Sequence, residues 1–413
     1  MFHIHVNKVL DVVRRPFCLS NESLCVVSAK KFKVKLRYMS NYRNMASQDT
    51  YSTVKHGGGS RVVSVPEIRC FMERCMTKVG TRESDAKALA EVLVAGDNRG
   101  HFSHGLNRLE MYVNDVQKKI CCVEGQPEII NETAATAYID GKNLLGPVVG
   151  NFSMKLAIKK AKESGIGWVV AKGSNHYGIA GWYSMMACKE GLLGMSFTNT
   201  SPFVAPTRGK KAVLGTNPIT LAAPAKDGDS FVLDMATCAV ALGKIEMQDR
   251  KNESIPEGWG MNSEGKITTD PKEVLNGGSL LPLGGAEHTS GYKGYGLAIM
   301  VEVFCGLLAG ATYGPNIRRW LDTSKIADLG QCFVAINPDV FAPGFQDRMS
   351  DLMEICRNQE PAEGESKILV PGDPEREHIA KCEAQGGIRY HENQIKYIMN
   401  LAEKLGVKPP QMA

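Results

Sequence analysis

The stretch His101-Phe102-Ser103-His104-Gly105-Leu106-Asn107-Arg108 places two imidazoles, a hydroxyl and a guanidinium in one short junction. Helical patterns flank it, and Gly100 and Gly105 stand on either side of the histidines. Upstream, Ser64-Val65-Pro66-Glu67 reads as a helix start, with Ser64 as cap, Glu67 returning the bond and a proline in the first turn. Ile68, Phe71, Met72, Cys75 and Met76 then recur at helical spacing. Gly80 ends that helix and Thr81 caps the next. Ala86, Leu89, Ala90, Leu93 and Val94 form its apolar stripe, and Gly100 closes it. Beyond the junction, Leu106, Leu109, Tyr112, Val113 and Val116 mark a third helix. Such a helix, beginning near Gly105, aims backbone N–H groups at the junction and carries Arg108 in its first turn, which favours an anion there. The competing reading is plain capping of the third helix by Ser103.

From about residue 128 the texture becomes α/β. Strands are expected at Ala134–Ile139, Gly167–Ala171, Leu192–Thr198, Val213–Thr216, Ile219–Ala223, Phe231–Met235 and Gln331–Asn337. Helices are expected over Pro147–Glu163, from Ala180 to about Glu190, and near 238–248 and 293–309. The strands lie close together, so a mixed sheet fits better than strict βαβ repetition. The C-terminal part is charged and helical, with apolar spacing at Ile395, Tyr397, Ile398, Leu401 and Leu405. There is no internal repeat.

The chain has 413 residues and a net charge of only +5, which argues against nucleic acid as the main partner. No apolar run reaches the roughly 18 residues of a membrane span. The 12 cysteines form no CxxC pair and no regular framework, so they read as free thiols of a reducing compartment. Residues 1–60 differ from the rest, being basic, poor in acids and irregular, up to Gly57-Gly58-Gly59. A transit peptide, a disordered tail and an upstream extension with the working start at Met39 or Met45 all fit this segment. The expected location is cytoplasmic, or mitochondrial if the segment is a transit peptide.

His101 and His104, on a loop with no nearby acid, are a weak metal signal, and no metal is expected. His176 lies in a loop after a buried strand, a common placement for proton transfer as well as for a structural histidine. Gly291-Tyr292-Lys293-Gly294-Tyr295-Gly296 lacks the preceding strand and the later acid of a dinucleotide fingerprint. It looks more like a glycine-rich approach to a phosphate, with Lys293 as the charge. Asp234 ends a strand, either to hold a ribose hydroxyl or to cap the following helix. Gly215-Thr216-Asn217-Pro218 is a turn with two side-chain donors, or a plain loop.

Together these stretches resemble the malate/L-lactate dehydrogenase family of the non-Rossmann kind, which also holds ureidoglycolate, sulfolactate and diketogulonate oxidoreductases. The carriers are Arg99-Gly100-His101-x-Ser103-His104-Gly105, Ser174-x-His176-x-Gly178, Leu214-Gly215-Thr216-Asn217-Pro218, Asp234-Met235-Ala236-Thr237, Lys293-Gly294-Tyr295-Gly296 and Pro371-Gly372, in that order, between about Ser64 and Leu405. The resemblance implies a sulfolactate-dehydrogenase-like α/β fold: a mixed-sheet NAD(P)-binding domain unrelated to Rossmann domains, with an α-helical N-terminal part. The expected division is a basic extension at 1–60, a helical substrate-side segment at 61–125, an α/β nucleotide-binding region at 126–310, and a C-terminal strand and helices at 311–413 returning to the helical part. It implies a homodimer whose subunits complete each other's sites. It also implies hydride transfer between NAD, with NADP as the alternative, and a 2-hydroxy or 2-oxo acid. Malate is the leading substrate; lactate, sulfolactate or an aromatic 2-hydroxy acid is the alternative. A metal-dependent hydrolase using His101, His104 and His176 is the competing class. By position, His104 and His176 fall on the family's proton-transfer histidines, and members differ over which is the main acid/base. Ser103 and Arg108 fall in the substrate-carboxylate region. Thr200, Asp234, Met235, Ala236, Lys293, Pro371, Gly372 and Asp373 fall on nucleotide-binding positions.

Overall fold

Ser64 starts the first helix as its side chain allows: Oγ accepts the Glu67 N–H at 3.4 Å, and the helix runs Val65–Lys78. Glu67 does not return the bond, because its carboxylate takes the Arg74 guanidinium at 3.1 Å. This computed structural model describes residues 60–320 and 322–412. Residues 1–59, and with them nearly all of the basic segment, lie outside the described residues.

The second helix, Glu83–Asn98, has Arg82 rather than Thr81 at its cap position, and Arg82 binds Asp85 at 2.7 Å. The third begins only at Leu109 and runs to Gln117. Two single 3-10 turns precede it, Phe102–His104 and Leu106–Arg108. Arg108 is therefore the residue before the helix, and Ser103 does not cap it. The delay has a cause: the buried Asp97 carboxylate takes the Leu106 N–H at 2.9 Å, drawing off a donor that a helix starting near Gly105 would have aimed at the loop.

These helices share one core with the C-terminal end. Phe71, Leu89, Leu93, Leu106 and Tyr112 pack with Tyr390, Ile398 and Leu401. Strand Ile388–His391 pairs antiparallel with Ser60–Val63, and helix Glu392–Leu405 buries the expected Ile395, Ile398, Leu401 and Leu405.

The main sheet has seven strands, in the spatial order Glu128–Glu132, Thr136–Asp140, Ile166–Ser174, Leu329–Ile336, Leu193–Thr198, Ile219–Pro224 and Ser230–Met235. Only the pair Thr136–Asp140 with Ile166–Ser174 is parallel, so the sheet is mixed. Leu329–Ile336 arrives late in the chain yet fills the centre. Its side chains alternate as strand geometry requires. Phe333 and Ala335 face helices Gly146–Ser164 and Gly181–Cys188, while Cys332 and Val334 face Val301 and Cys305 on the other side. A strand covered on both faces reads as a continuous apolar run rather than an alternation.

One expected strand takes another form: residues 213–216 make only a bridge between Leu214 and Val204. The helix expected near 293–309 starts at Gly291 and runs to Glu302, continued by a wider turn over Val303–Leu307, and Gly294 lets it pack on the Leu283 backbone, where a Cβ would come within 2.4 Å. Among the described residues no helix is long and apolar enough to cross a membrane. All ten described cysteines are free thiols.

Phe333 is fully buried against the Tyr177 and Tyr183 rings. Phe333→Ala should cost about 3–5 kcal/mol in chemical denaturation. A loss under about 1 kcal/mol would remove this strand from the centre of the core.

Candidate active site

Strand Ile166–Ser174 delivers His176 to the edge of the helical layer, and buried polar contacts fix the delivery. Ser174 Oγ donates to Gln331 Oε1 at 2.8 Å, Gln331 Nε2 donates to the Asn175 carbonyl at 3.0 Å, and Asn175 Nδ2 donates to the Leu144 carbonyl at 2.9 Å. Gly178 turns the chain at φ +79°, and a Cβ there would meet Val92 at 2.3 Å. His176 Nδ1 lies 2.5 Å from the Tyr112 hydroxyl and accepts the Gly178 N–H at 3.3 Å. With Nδ1 accepting, the neutral ring carries its proton on Nε2.

The 101–108 junction supplies the other half. His104 stacks on His176 with ring centroids 5.8 Å apart and 20° between planes. Ser103 Oγ lies 2.9 Å from His104 Nδ1. Arg108 Nε donates to the Ser103 carbonyl at 2.5 Å, and its guanidinium lies 4.9 Å over the Trp320 ring. The structure thus brings Ser103, His104, Arg108 and His176 into one group. His101 stands outside it and binds Glu375 at 3.2 Å.

Electrostatics makes both histidines neutral. Burial, then the Arg108 charge, then His101 push His104 down to about 3. Burial, His104, Arg108 and Arg318 likewise lower His176. Burial keeps the Tyr112 phenol protonated. A cavity of about 30 Å³, room for one water, opens beside His176. Its walls include Thr200, Ser201, Arg318 and Trp320, with Met111, Ile317, Ala327 and Leu329 as the apolar part.

The remaining sequence-expected residues fall at the sheet edge and beyond. Thr200 is held by its own N–H on Asn217 Oδ1 at 3.1 Å and by Oγ1 accepting the Thr216 N–H at 2.9 Å. Asn217 in turn reaches the buried Glu302 at 3.1 Å, so the 215–218 stretch is more than a plain loop. Asp234 takes the Gly181 N–H at 2.7 Å, capping helix Gly181–Cys188 rather than the helix that follows it in sequence. Met235 ends the same strand and Ala236 packs on the core beyond it. Pro371 covers this sheet edge by accepting the Val232 N–H at 3.0 Å. Gly372 has φ +104°, and Asp373 opens helix Asp373–Ala384, its carboxylate taken by Arg357 at 2.6 Å and also by Arg376. Lys293 is exposed in the first turn of its helix, 5.9 Å over the Tyr292 ring, and among the described residues no bond joins it to the others.

The sequence-profile match covers residues 63–399 and is to the malate/L-lactate dehydrogenase family. The chain belongs to that family. Over 346 residues it is 43% identical to a malate dehydrogenase of Pyrococcus abyssi, covering 83% of this chain and 94% of the relative. It is 39% identical to an L-sulfolactate dehydrogenase of Methanocaldococcus jannaschii, covering 80% and 94%. The crystal structure of an Entamoeba histolytica malate dehydrogenase superimposes with a TM-score of 0.81 at 33% identity, over 86% of this chain and 100% of that one. The protein is an enzyme of this dehydrogenase family, with its non-Rossmann mixed sheet.

Sequence reasoning missed several residues that build the site. Tyr112 was legible only as core spacing, and Trp320 lies in a segment with no pattern. Asp97 is fully buried, accepts the Leu106 N–H and, at 2.7 Å, the Tyr390 hydroxyl, and has Gly105 pressed against its other oxygen. Burial raises its carboxyl to about 7, outweighing both hydrogen bonds. A carboxyl raised in the folded state stabilises most at low pH. Its contribution is lost as pH climbs from about 4 to about 7, at up to about 1.4 kcal/mol per pH unit. His104 acts in the opposite sense, since a lowered histidine favours the fold as pH rises from about 3 to 6.5. Comparison with Asp97→Asn isolates the first effect. Between pH 4 and 7 the wild type should lose stability relative to the variant in urea titrations; parallel curves would place the carboxyl in its ordinary range.

Proposed function

We propose that the chain interconverts a small 2-hydroxy acid and its 2-oxo acid, with malate and oxaloacetate as the pair and NAD as the cofactor. The observation that carries this is the stacked His104–His176 pair beside Arg108. Oxidation takes a hydride from C2 and a proton from the hydroxyl oxygen. A bound nicotinamide supplies the hydride acceptor. The chain supplies the rest. A histidine that begins neutral is ready to take the hydroxyl proton and to return it in the reverse direction. Arg108 grips the substrate carboxylate and Ser103 adds a hydroxyl beside it, which fixes C2 relative to the rings. The carboxylate also offsets the Arg108 charge, one of the causes that lower both histidines. Their proton affinity therefore rises when substrate sits in place. Tyr112 holds His176 by Nδ1, so the Nε2–H of His176 is a donor to the substrate oxygen and the proton is taken by His104.

Thr200, Asp234, Met235, Ala236, Lys293, Pro371, Gly372 and Asp373 would hold the dinucleotide. The donor set fits: an exposed ammonium in a helix's first turn suits a phosphate, and a carboxylate at a strand end suits a ribose hydroxyl. Asp373 contributes by fixing the start of its helix, since its carboxylate is spent on Arg357 and Arg376. A second copy of the chain would cover the apolar face of the 291–307 helix, where Tyr292, Ile299, Val303 and Leu307 are exposed. Light scattering should give a particle of twice the 45.0 kDa chain, and Leu307→Glu should halve it; a wild-type monomer would refute the dimer.

A panel of 2-oxo acids read by NADH and NADPH oxidation fixes substrate and cofactor together, with oxaloacetate and NADH expected to lead. His104→Ala should lower turnover by about 10²–10⁴-fold with little change in cofactor affinity. Wild-type turnover would exclude His104 from proton transfer. Arg108→Ala should mainly raise KM for the acid; an unchanged KM would mean that the carboxylate is held elsewhere.

A further inference from the structure

Trp320 touches both halves of the site. The Arg108 guanidinium lies 4.9 Å from its ring centroid, and its edge-on contact with His176 brings those centroids to 5.5 Å at 71°. It also walls the cavity beside His176. Trp320 thus joins the carboxylate holder, a proton-transfer ring and that cavity. We propose that Trp320 is a specificity-determining residue that fixes the spacing of Arg108 and His176 and limits the size of the group on C2 of the substrate.

The physical argument has two parts. Arg108 is otherwise tethered by the Ser103 carbonyl, and a guanidinium over an indole face gains cation–π attraction. Loss of the indole frees the guanidinium to swing about that tether. The second part is space. Trp320 forms part of the wall beside His176, and an indole is among the bulkiest walls a protein offers. Arg318 also lines the cavity, its charge already matched by Asp115 at 2.5 Å with both side chains buried. Trp320 is the bulkiest of the lining side chains, so shortening it opens the most space.

This inference rests on the dehydrogenase reading. Its test uses the full chain with Trp320→Phe, Trp320→Tyr and Trp320→Leu. The substrates are oxaloacetate, pyruvate and phenylpyruvate with NADH, and the binding probe is oxamate, followed by calorimetry with NADH present. Trp320→Leu should raise KM for the small acids and weaken oxamate by roughly 3- to 30-fold, the span of one cation–π contact. It should also lower the kcat/KM ratio of oxaloacetate over phenylpyruvate by at least about tenfold, the scale of pocket-size discrimination. The aromatic variants should keep oxamate affinity within a few-fold, which a loss of general packing would not reproduce. Substrate ratios and oxamate affinity unchanged in Trp320→Leu would overturn the proposal. If Trp320→Leu does not fold, the two aromatic variants decide by the phenylpyruvate ratio alone, which should rise in the order Trp, Tyr, Phe; a flat order overturns it. A wild type silent with every 2-oxo acid sinks the dehydrogenase reading instead. In that event oxamate affinity in the variants still decides the role of Trp320.

Discussion

One buried carboxylate carries the geometry of the site. Asp97 sits at the end of helix Glu83–Asn98 with no exposed surface, and it spends one oxygen on the Leu106 N–H and the Tyr390 hydroxyl. The first bond interrupts what would be continuous helix from Gly105 onward. The second ties the interruption to the C-terminal strand. Gly105 is needed because any Cβ would run into the Asp97 carboxyl at 1.9 Å. A chain that kept its helix here would lose the turn that carries His104 toward His176. The arrangement costs something: a carboxyl pushed to about 7 is one that burial disfavours as an anion, and one of its oxygens finds no hydrogen-bond partner among the described residues. Strain of this kind is held in place only by a surrounding core that closes over it. Here that core joins the first three helices to the last one.

The same loop brings positive charge near the two stacked imidazoles. Arg108 is close enough to His104 and His176 to depress both, and Arg318 adds to the effect at His176. Asp115 answers Arg318 with a buried bidentate pair, so the two cations are not equivalent. Arg108 has a backbone carbonyl and an indole face as its direct contacts, with the Glu246 carboxylate acting on it through space.

The histidine cluster was legible because its residues are clustered in sequence or follow a strong element. His104, Ser103 and Arg108 share one turn, and His176 follows a strand whose apolar run is unmistakable. The helices at 64–116 were legible from spacing, since a buried stripe imposes its period directly. What the sequence hid depends on contacts between distant segments. Tyr112 looks like one more core residue until His176, 64 positions on, is placed against its hydroxyl. Trp320 sits in a patternless stretch, and nothing local says that it underlies Arg108. Asp97 reads as an ordinary helix-end acid, and only burial reveals what it does. Asp234 was read as a ribose holder or as a cap of the helix that follows it in sequence; its carboxylate instead takes the Gly181 N–H, a contact across 53 positions that no local pattern announces.

The sheet explains why the site lies where it does. In an open parallel sheet, ligands gather at the carboxyl ends of strands where the strand order reverses. Here six strand pairings include only one parallel pair, so no such common end exists. The central strand Leu329–Ile336 runs opposite to both neighbours, and its start lies at the ends of Ile166–Ser174 and Leu193–Thr198. Those two ends lead directly to His176 and Thr200. One antiparallel strand thereby sets two loops side by side, and the segment that precedes it, around Ile317 to Leu329, supplies the cavity's remaining wall. The helical layer then needs to contribute only one turn, the one that Asp97 holds open, to complete the group of side chains.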